Sequence, residues 1–194
     1  YLGYAFEDRL HLNTHKYDES LVHIHDTRGV TERIDSKGHV VIPVRVEEAI
    51  VAAGELVDQG VKAIAISLLS SYLNPTHEHA VRDAVLKVIK DKGSNIPVFA
   101  SVDYYPARKE SHRTNTTILE AYAAEPSRKI LGALSDKMKS YGATFDLRVM
   151  ATHGGTIGWK AKELARSLVS GPIGGVIGAK YLGEQLGYEN IACS

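Results

Sequence analysis

The chain has 194 residues, 44% hydrophobic and 24% charged, a composition that belongs to a folded globular protein and excludes general disorder. Lys plus Arg and Asp plus Glu each number 23, so the net charge is zero and no basic field exists to hold nucleic acid or an anionic membrane. The longest apolar runs, such as Ala63 to Leu69, fall far short of the roughly 20 residues that span a bilayer, and the lone Cys193 permits neither an internal disulfide nor a cysteine-rich zinc site, which points to a cytoplasmic location.

The chain opens at Tyr1 without methionine or a targeting segment, and Asn190 to Ser194 reads as a strand that stops, so a piece of a longer protein is expected. Leu21, His23 and His25 alternate as an extended run. Val30 to Ile34 and Val40 to Val44, joined by Asp35-Ser36-Lys37-Gly38, predict a β-hairpin. From Val46 the period becomes helical, with Ala49, Ile50, Ala53, Leu56 and Val57 on one stripe and a stop at Gly60. Val61 to Leu69 is apolar enough for a strand buried on both faces. Asn74-Pro75 then starts a helix with Ala80, Val81, Ala84, Val85, Val88 and Ile89 inward.

Ile96 to Ser101 predicts the next strand. A helical region from about Arg113 is expected to break near Pro126 and restart at Ser127. Leu147 to Thr152 reads as a strand, Trp159 to Leu168 as a short amphipathic helix, Ser170 to about Leu186 as a glycine-rich helix, and Ile191 as the start of a last strand. This alternation predicts an α/β protein with a largely parallel sheet and an N-terminal β-hairpin.

Thr152-His153-Gly154-Gly155-Thr156 falls where a strand should hand over to a helix, the place where open α/β sheets bind ligands. Adjacent glycines admit an anion to backbone N–H groups, the threonine can donate, and the imidazole can orient a substrate or move a proton. The same residues also make a tight turn with a capping threonine and a solvated histidine. Ser170-Gly171-Pro172-Ile173-Gly174-Gly175 offers a serine cap and a helix N-terminus to a phosphate. Alternatively, the spacing of Gly171, Gly175 and Ala179 makes a small face for close packing, which would compensate helix-interior glycines at about 1 kcal/mol each. No Gly-Lys-Ser/Thr follows, and the dinucleotide spacing is absent.

Lys109 to Thr117 concentrates polar groups, and Arg113 can fork a carboxylate or phosphate or simply pair with Glu110. The nine histidines include the pairs His11/His15 and His23/His25 and the run His77-Glu78-His79, but their spacing favours solvated or capping roles over a metal site. No metal ligand set is assigned.

Thr31 to Asp35, Ser71 to Glu78, Arg113 to Tyr122, Met150 to Gly155 and Ser170 to Ala179, in that order, resemble the hydantoinase A/5-oxoprolinase family. Ala107 to Thr117 and Ala151 to Thr156 look like its ketone-carboxylase branch, because the amidohydrolase branch more often carries Glu-Tyr-x-Arg where this chain has Glu110-Ser111-His112-Arg113. The resemblance implies an actin-like ATPase fold using ATP and Mg²⁺, and ATP-dependent condensation of acetone with bicarbonate to acetoacetate through phosphorylated intermediates. It also implies partner carboxylase subunits, one of which holds a divalent metal.

The family's two Asp-x-Gly-Gly-Thr phosphate loops are absent here. Residues 1–45 are therefore expected to belong to an N-terminal lobe, 46–145 to an α/β segment, and 146–194 to the start of a second lobe, and the piece alone is expected to be inactive. On this resemblance His153 and Arg113 become the candidate catalytic residues. Gly154, Gly155, Thr156, Ser170, Gly171, Gly174 and Gly175 become the candidate nucleotide-binding or bracing residues. A hydantoinase-type amidohydrolase and a non-catalytic assembly subdomain stand as alternatives.

Overall fold

In the N-terminal hairpin Asp35 builds the turn: its Oδ1 accepts the N–H of both Lys37 and His39 at 2.8 Å, while Gly38 takes a φ of +87°. The computed structural model describes residues 20–188 and 190–192, and His11, His15 and Cys193 lie outside them. The turn joins β1 (Arg33–Ile34) to β2 (Val40–Ile42) antiparallel, as the sequence predicts. Upstream, the expected extended alternation gives way to a 3-10 turn at Ile24–Asp26. Local donors capture its carbonyls: Asp26 N–H bonds the oxygen of His23 at 2.9 Å, and Arg28 Nη1 bonds that of His25 at 2.6 Å.

Helix α1 (Val46–Asp58) buries Ala49 and Ala53, and Gly60 (φ +78°) lets the chain leave it. Strand β3 (Ile64–Ile66), helix α2 (Thr76–Asp91) and strand β4 (Val98–Ala100) make one βαβ unit with β3 and β4 parallel. Asn74 Oδ1 starts α2 by accepting from Thr76 N–H and Oγ1 at 3.2 and 2.7 Å. The core lies here: Ala49, Ala53, Ile64, Ile66, Val81, Val85 and Ile89 form one buried cluster. β3 is shorter than expected and not buried on both faces, since Ala65 is exposed between Ile64 and Ile66.

After the short helix α3 (Ser101–Tyr104) comes α4 (Glu110–Ser140), a single helix of 31 residues with Pro126 inside it. The expected break is absent. Proline deprives the Tyr122 carbonyl of its donor, but Tyr122 and Pro126 are both exposed, on a face where solvent can serve in its place.

Strand β5 (Arg148–Met150) returns antiparallel as β6 (Thr156–Gly158). The sheet is therefore not largely parallel: the described residues hold three two-stranded sheets, of which only β3–β4 is parallel. The reversal is made by Thr152 to Gly155, where Gly154 has φ +85° and its N–H bonds the Ala151 oxygen at 2.9 Å. The anticipated helix from Trp159 reduces to a 3-10 turn at Leu164–Ser167.

Helix α5 (Ser170–Leu186) ends at Gly187 as expected, but Val169 occupies its N-cap position, without a side-chain cap. A Cβ at Gly171, Gly175 or Gly178 would meet no described atom within 4 Å, so the expected close packing of that stripe is not made among the described residues. Contact is made instead by the isoleucines beside it: Ile177 Cδ1 lies 3.0 Å from where a Gly154 Cβ would stand. Ile191 starts no strand in the described part and lies over Gly183.

Candidate functional site

The C-terminal ends of β3 and β4 are tied together by charged groups withdrawn from water. Glu78, in the first turn of α2, is 0% exposed and accepts four hydrogen bonds. Leu68 N–H (2.7 Å), Ser71 Oγ (2.8 Å) and Ser101 Oγ (2.7 Å) donate to Oε1, and Val102 N–H (3.0 Å) donates to Oε2. Arg113, also 0% exposed, donates to Ser101 Oγ at 2.9 Å, to the Ala107 oxygen at 2.8 Å and to the Leu68 oxygen at 2.7 Å. Its guanidinium sits 5.9 Å from the centre of the Tyr72 ring. Charge and donors are matched, which is what makes such burial tolerable. Glu110 bonds Ser70 N–H at 3.4 Å, and no Glu110–Arg113 pair forms. His77 is buried as well, its Nδ1 2.8 Å from Glu32 Oε2, and is not the solvated histidine that spacing favours.

Beside this knot opens a cleft of ≈ 400 Å³ between α3, α4, the β5–β6 turn and the 3-10 turn. Tyr104, Thr116, Glu120, Thr152, His153 and Arg166 are among its lining residues. His153 is exposed and its imidazole lies over Gly155, where a Cβ would stand 2.8 Å from Nε2. Among the described residues the ring has no hydrogen-bond partner, which leaves both nitrogens to a ligand.

Glu120 is 1% exposed, with Oε1 3.1 Å from Leu164 N–H and 3.5 Å from Arg128 Nη2, and Oε2 2.6 Å from Ala165 N–H. Burial raises its carboxyl above the usual range, against the lowering effect of those amides and Arg128. Burial likewise raises the Tyr104 phenol, reinforced by Glu120, and Lys162 Nζ lies 4.8 Å from the Tyr104 ring centre. A phenol, an imidazole and a guanidinium thus border one space, with the Glu120 carboxylate buried at its wall and spent on backbone N–H groups, an arrangement suited to holding an anionic or carbonyl-bearing molecule.

Of the anticipated site residues, His153 lies on the cleft. Arg113 is spent inside the protein, with its donors on Ser101, Ala107 and Leu68. Gly154 and Gly155 shape the turn. Thr156 Oγ1 accepts from Arg148 Nε at 2.8 Å. Ser170, Gly171, Gly174 and Gly175 sit in the first turns of α5, with Gly174 4.0 Å from Met150 Cε by its Cβ direction.

The turn does not form a phosphate cradle by itself. Its Thr152 and Gly154 N–H groups already bond the Arg166 oxygen at 2.7 Å and the Ala151 oxygen, so those donors are not open to a nucleotide. Among the described residues no group of three His, Cys, Asp or Glu is placed to hold a metal ion. No helix in that set is long and apolar enough to cross a membrane.

Glu78 and Glu120 were not singled out by motif reading. The signal for Glu120 was present: Arg113, Thr117, Glu120 and Ala124 recur at helical spacing and form the buried stripe of α4.

Two hydantoinase/oxoprolinase models match the chain: the N-terminal-region model over residues 4–89, and the hydantoinase/oxoprolinase model over residues 113–194. The acetone carboxylase β subunit of Xanthobacter autotrophicus is 65% identical over 194 residues, covering 100% of this chain and 27% of that protein. A solved nucleotide-free structure of acetone carboxylase, described as carrying out ATP-dependent acetone carboxylation, superposes with TM-score 0.90 at 65% identity over 100% of this chain and 27% of that one. The ATP-dependent caprolactamase of Pseudomonas jessenii shares the fold, with TM-score 0.78 at 24% identity over 95% of this chain and 28% of that one. The chain spans about a quarter of the length of the relatives it matches.

Proposed function

The chain belongs to the hydantoinase/oxoprolinase family, and from that premise we propose that it is a segment of an ATP-dependent ketone carboxylase subunit. The longer protein would join a ketone such as acetone to bicarbonate, giving acetoacetate through phosphorylated intermediates, in the cytoplasm. One observation carries the reading: identity of 65% runs across the whole chain with an acetone carboxylase subunit, against 24% with the caprolactamase. The second reading, an ATP-dependent amidohydrolase, rests on the fold shared with that caprolactamase.

On this reading the nucleotide and Mg²⁺ are held chiefly by parts of an actin-like ATPase that this chain does not contain, because the Thr152 and Gly154 amides are already engaged. The chain alone is therefore expected to turn over no ATP. Gly154, Gly155 and Thr156 would border the nucleotide cleft, and Ser170, Gly171, Gly174 and Gly175 would lie behind a phosphate loop of the longer protein. Other carboxylase subunits would complete the enzyme, one of them holding a divalent metal. His153 would orient or protonate a bound intermediate, and Arg113 would act indirectly, by holding the loops beside the cleft.

The test is His153→Ala in the full-length subunit assembled with its partners. Acetoacetate formation should fall about a hundredfold or more, with little change in thermal stability, because the exposed ring makes no hydrogen bond among the described residues. Normal product formation would remove His153 from the site.

A further inference from the structure

Glu120 is buried on α4, far in sequence from the turn that carries His153, yet two hydrogen-bonded steps and the short stretches of backbone between them join the two. Its carboxylate accepts the N–H groups of Leu164 and Ala165 at 3.1 and 2.6 Å, at the start of the 3-10 turn Leu164–Ser167. The carbonyl of Arg166, within that turn, accepts the N–H of Thr152 at 2.7 Å, one residue before His153. Leu164 and Ala151 are buried on either side of this link, and Glu120, Arg166 and His153 are all lining residues of the same cleft. A 3-10 turn leaves its first N–H groups without partners in the turn, and Glu120 is the group that satisfies them.

We propose that Glu120 is a positioning residue: it fixes the 3-10 turn, and through Arg166 the β5–β6 turn, so that His153 and Arg166 face the cleft in one geometry. Arg128 holds the carboxylate from the other side, with Nη2 3.5 Å from Oε1 and 3.0 Å from the Lys162 oxygen. A one-ångström misplacement of a reacting group can cost about a hundredfold in rate, so the placement matters to chemistry as well as to folding. The catalytic half of this inference rests on the function proposed above; the positioning half does not.

The experiment uses the full-length subunit in its complex with Glu120→Gln, His153→Ala and the double variant. Glutamine keeps the shape of the side chain but turns one acceptor oxygen into an amide nitrogen, which cannot accept from Leu164 or Ala165. Amide hydrogen exchange should then quicken about tenfold or more at Thr152, a residue Glu120 does not touch. Product formation should fall about 10- to 100-fold through kcat rather than KM, and the double variant should be no slower than His153→Ala alone, since residues acting as one unit are not additive. Unchanged exchange at Thr152, or losses that multiply in the double variant, would overturn the proposal. If exchange at Thr152 quickens while His153→Ala is silent, the positioning stands and the assignment of His153 to the reaction falls.

Discussion

Arg113 concentrates the difference between what residue types suggest and what packing makes of them. In sequence it sits in a polar cluster suited to forking an anion; in the fold its donors go to Ser101, Ala107 and Leu68, and Ser101 shares its hydroxyl with Glu78. Removing the guanidinium leaves a carboxylate and two carbonyls short of compensation. Arg113→Met should therefore destabilise the chain by about 3–5 kcal/mol, read as a lower urea midpoint. Arg113→Lys should recover only part of it, because an ammonium cannot reach three separated acceptors. A midpoint within error of the parent would mean that the knot contributes little. His153 was legible in sequence because a Gly-Gly pair follows it. Glu78 and Glu120 carry no motif of their own, because the backbone N–H groups that answer them lie 10 to 45 residues away in sequence; only the helical stripe of Arg113, Thr117, Glu120 and Ala124 marks Glu120 as buried.

Among the elements, the longer helices and the places of strands β1 to β5 are legible in the sequence, whereas the pairing of β5 with β6 is not. α1, α2 and α5 run close to their expected bounds because apolar spacing over three or more turns is a strong signal. Three-residue strands carry too few side chains to distinguish parallel from antiparallel pairing, so β5–β6 emerges as a hairpin where a strand-to-helix connection is expected. The glycines of this region divide by environment. Gly175 faces open space among the described residues, so Gly175→Ala should raise stability by up to about 1 kcal/mol through helix propensity. Gly154 has φ +85° with Ile177 against it, so Gly154→Ala should cost about 1–2 kcal/mol for a left-handed alanine. Thermal melts of both variants decide the matter, and a lower melting temperature for Gly175→Ala would mean that α5 is covered on that face.

For the molecule as a whole, two carboxylates set opposing pH slopes. At Asp103, burial works against ionisation, yet Arg82 at 3.0 Å, Lys162 and His79 together hold the carboxyl below its usual range. Its stabilising contribution is present above the unfolded-chain value and is lost as pH falls through the lower folded value. Glu120 is the reverse case. Its folded value is raised, so stability is greatest below the unfolded-chain value and declines as pH rises from there through the folded value. Urea midpoints measured from pH 3 to 7 should lose part of the acid-side fall in Asp103→Asn and the decline above the ordinary glutamate range in Glu120→Gln. Identical profiles in parent and variants would contradict both assignments.

The uninterrupted helix α4 also joins the two sides of the cleft. Its first half is anchored by Arg113 and Glu120, while its second half carries Gly132, against which the Trp159 indole lies so closely that a Cβ would stand 3.3 Å from the ring. Pro126 falls between the two anchorages, at the one position where the helix lacks an N–H to hold it straight. At ~1.5 Å per residue, Ser140 lies ~21 Å beyond that point. Trp159 directly follows β6, so the second half of the helix touches the hairpin whose turn presents His153, while Arg128, just past Pro126, reaches back to Glu120 in the first half. Both sides of the cleft are thus carried on a single rod, and a substitution that bent it at Pro126 would disturb the cleft and the Arg128–Glu120 pair together.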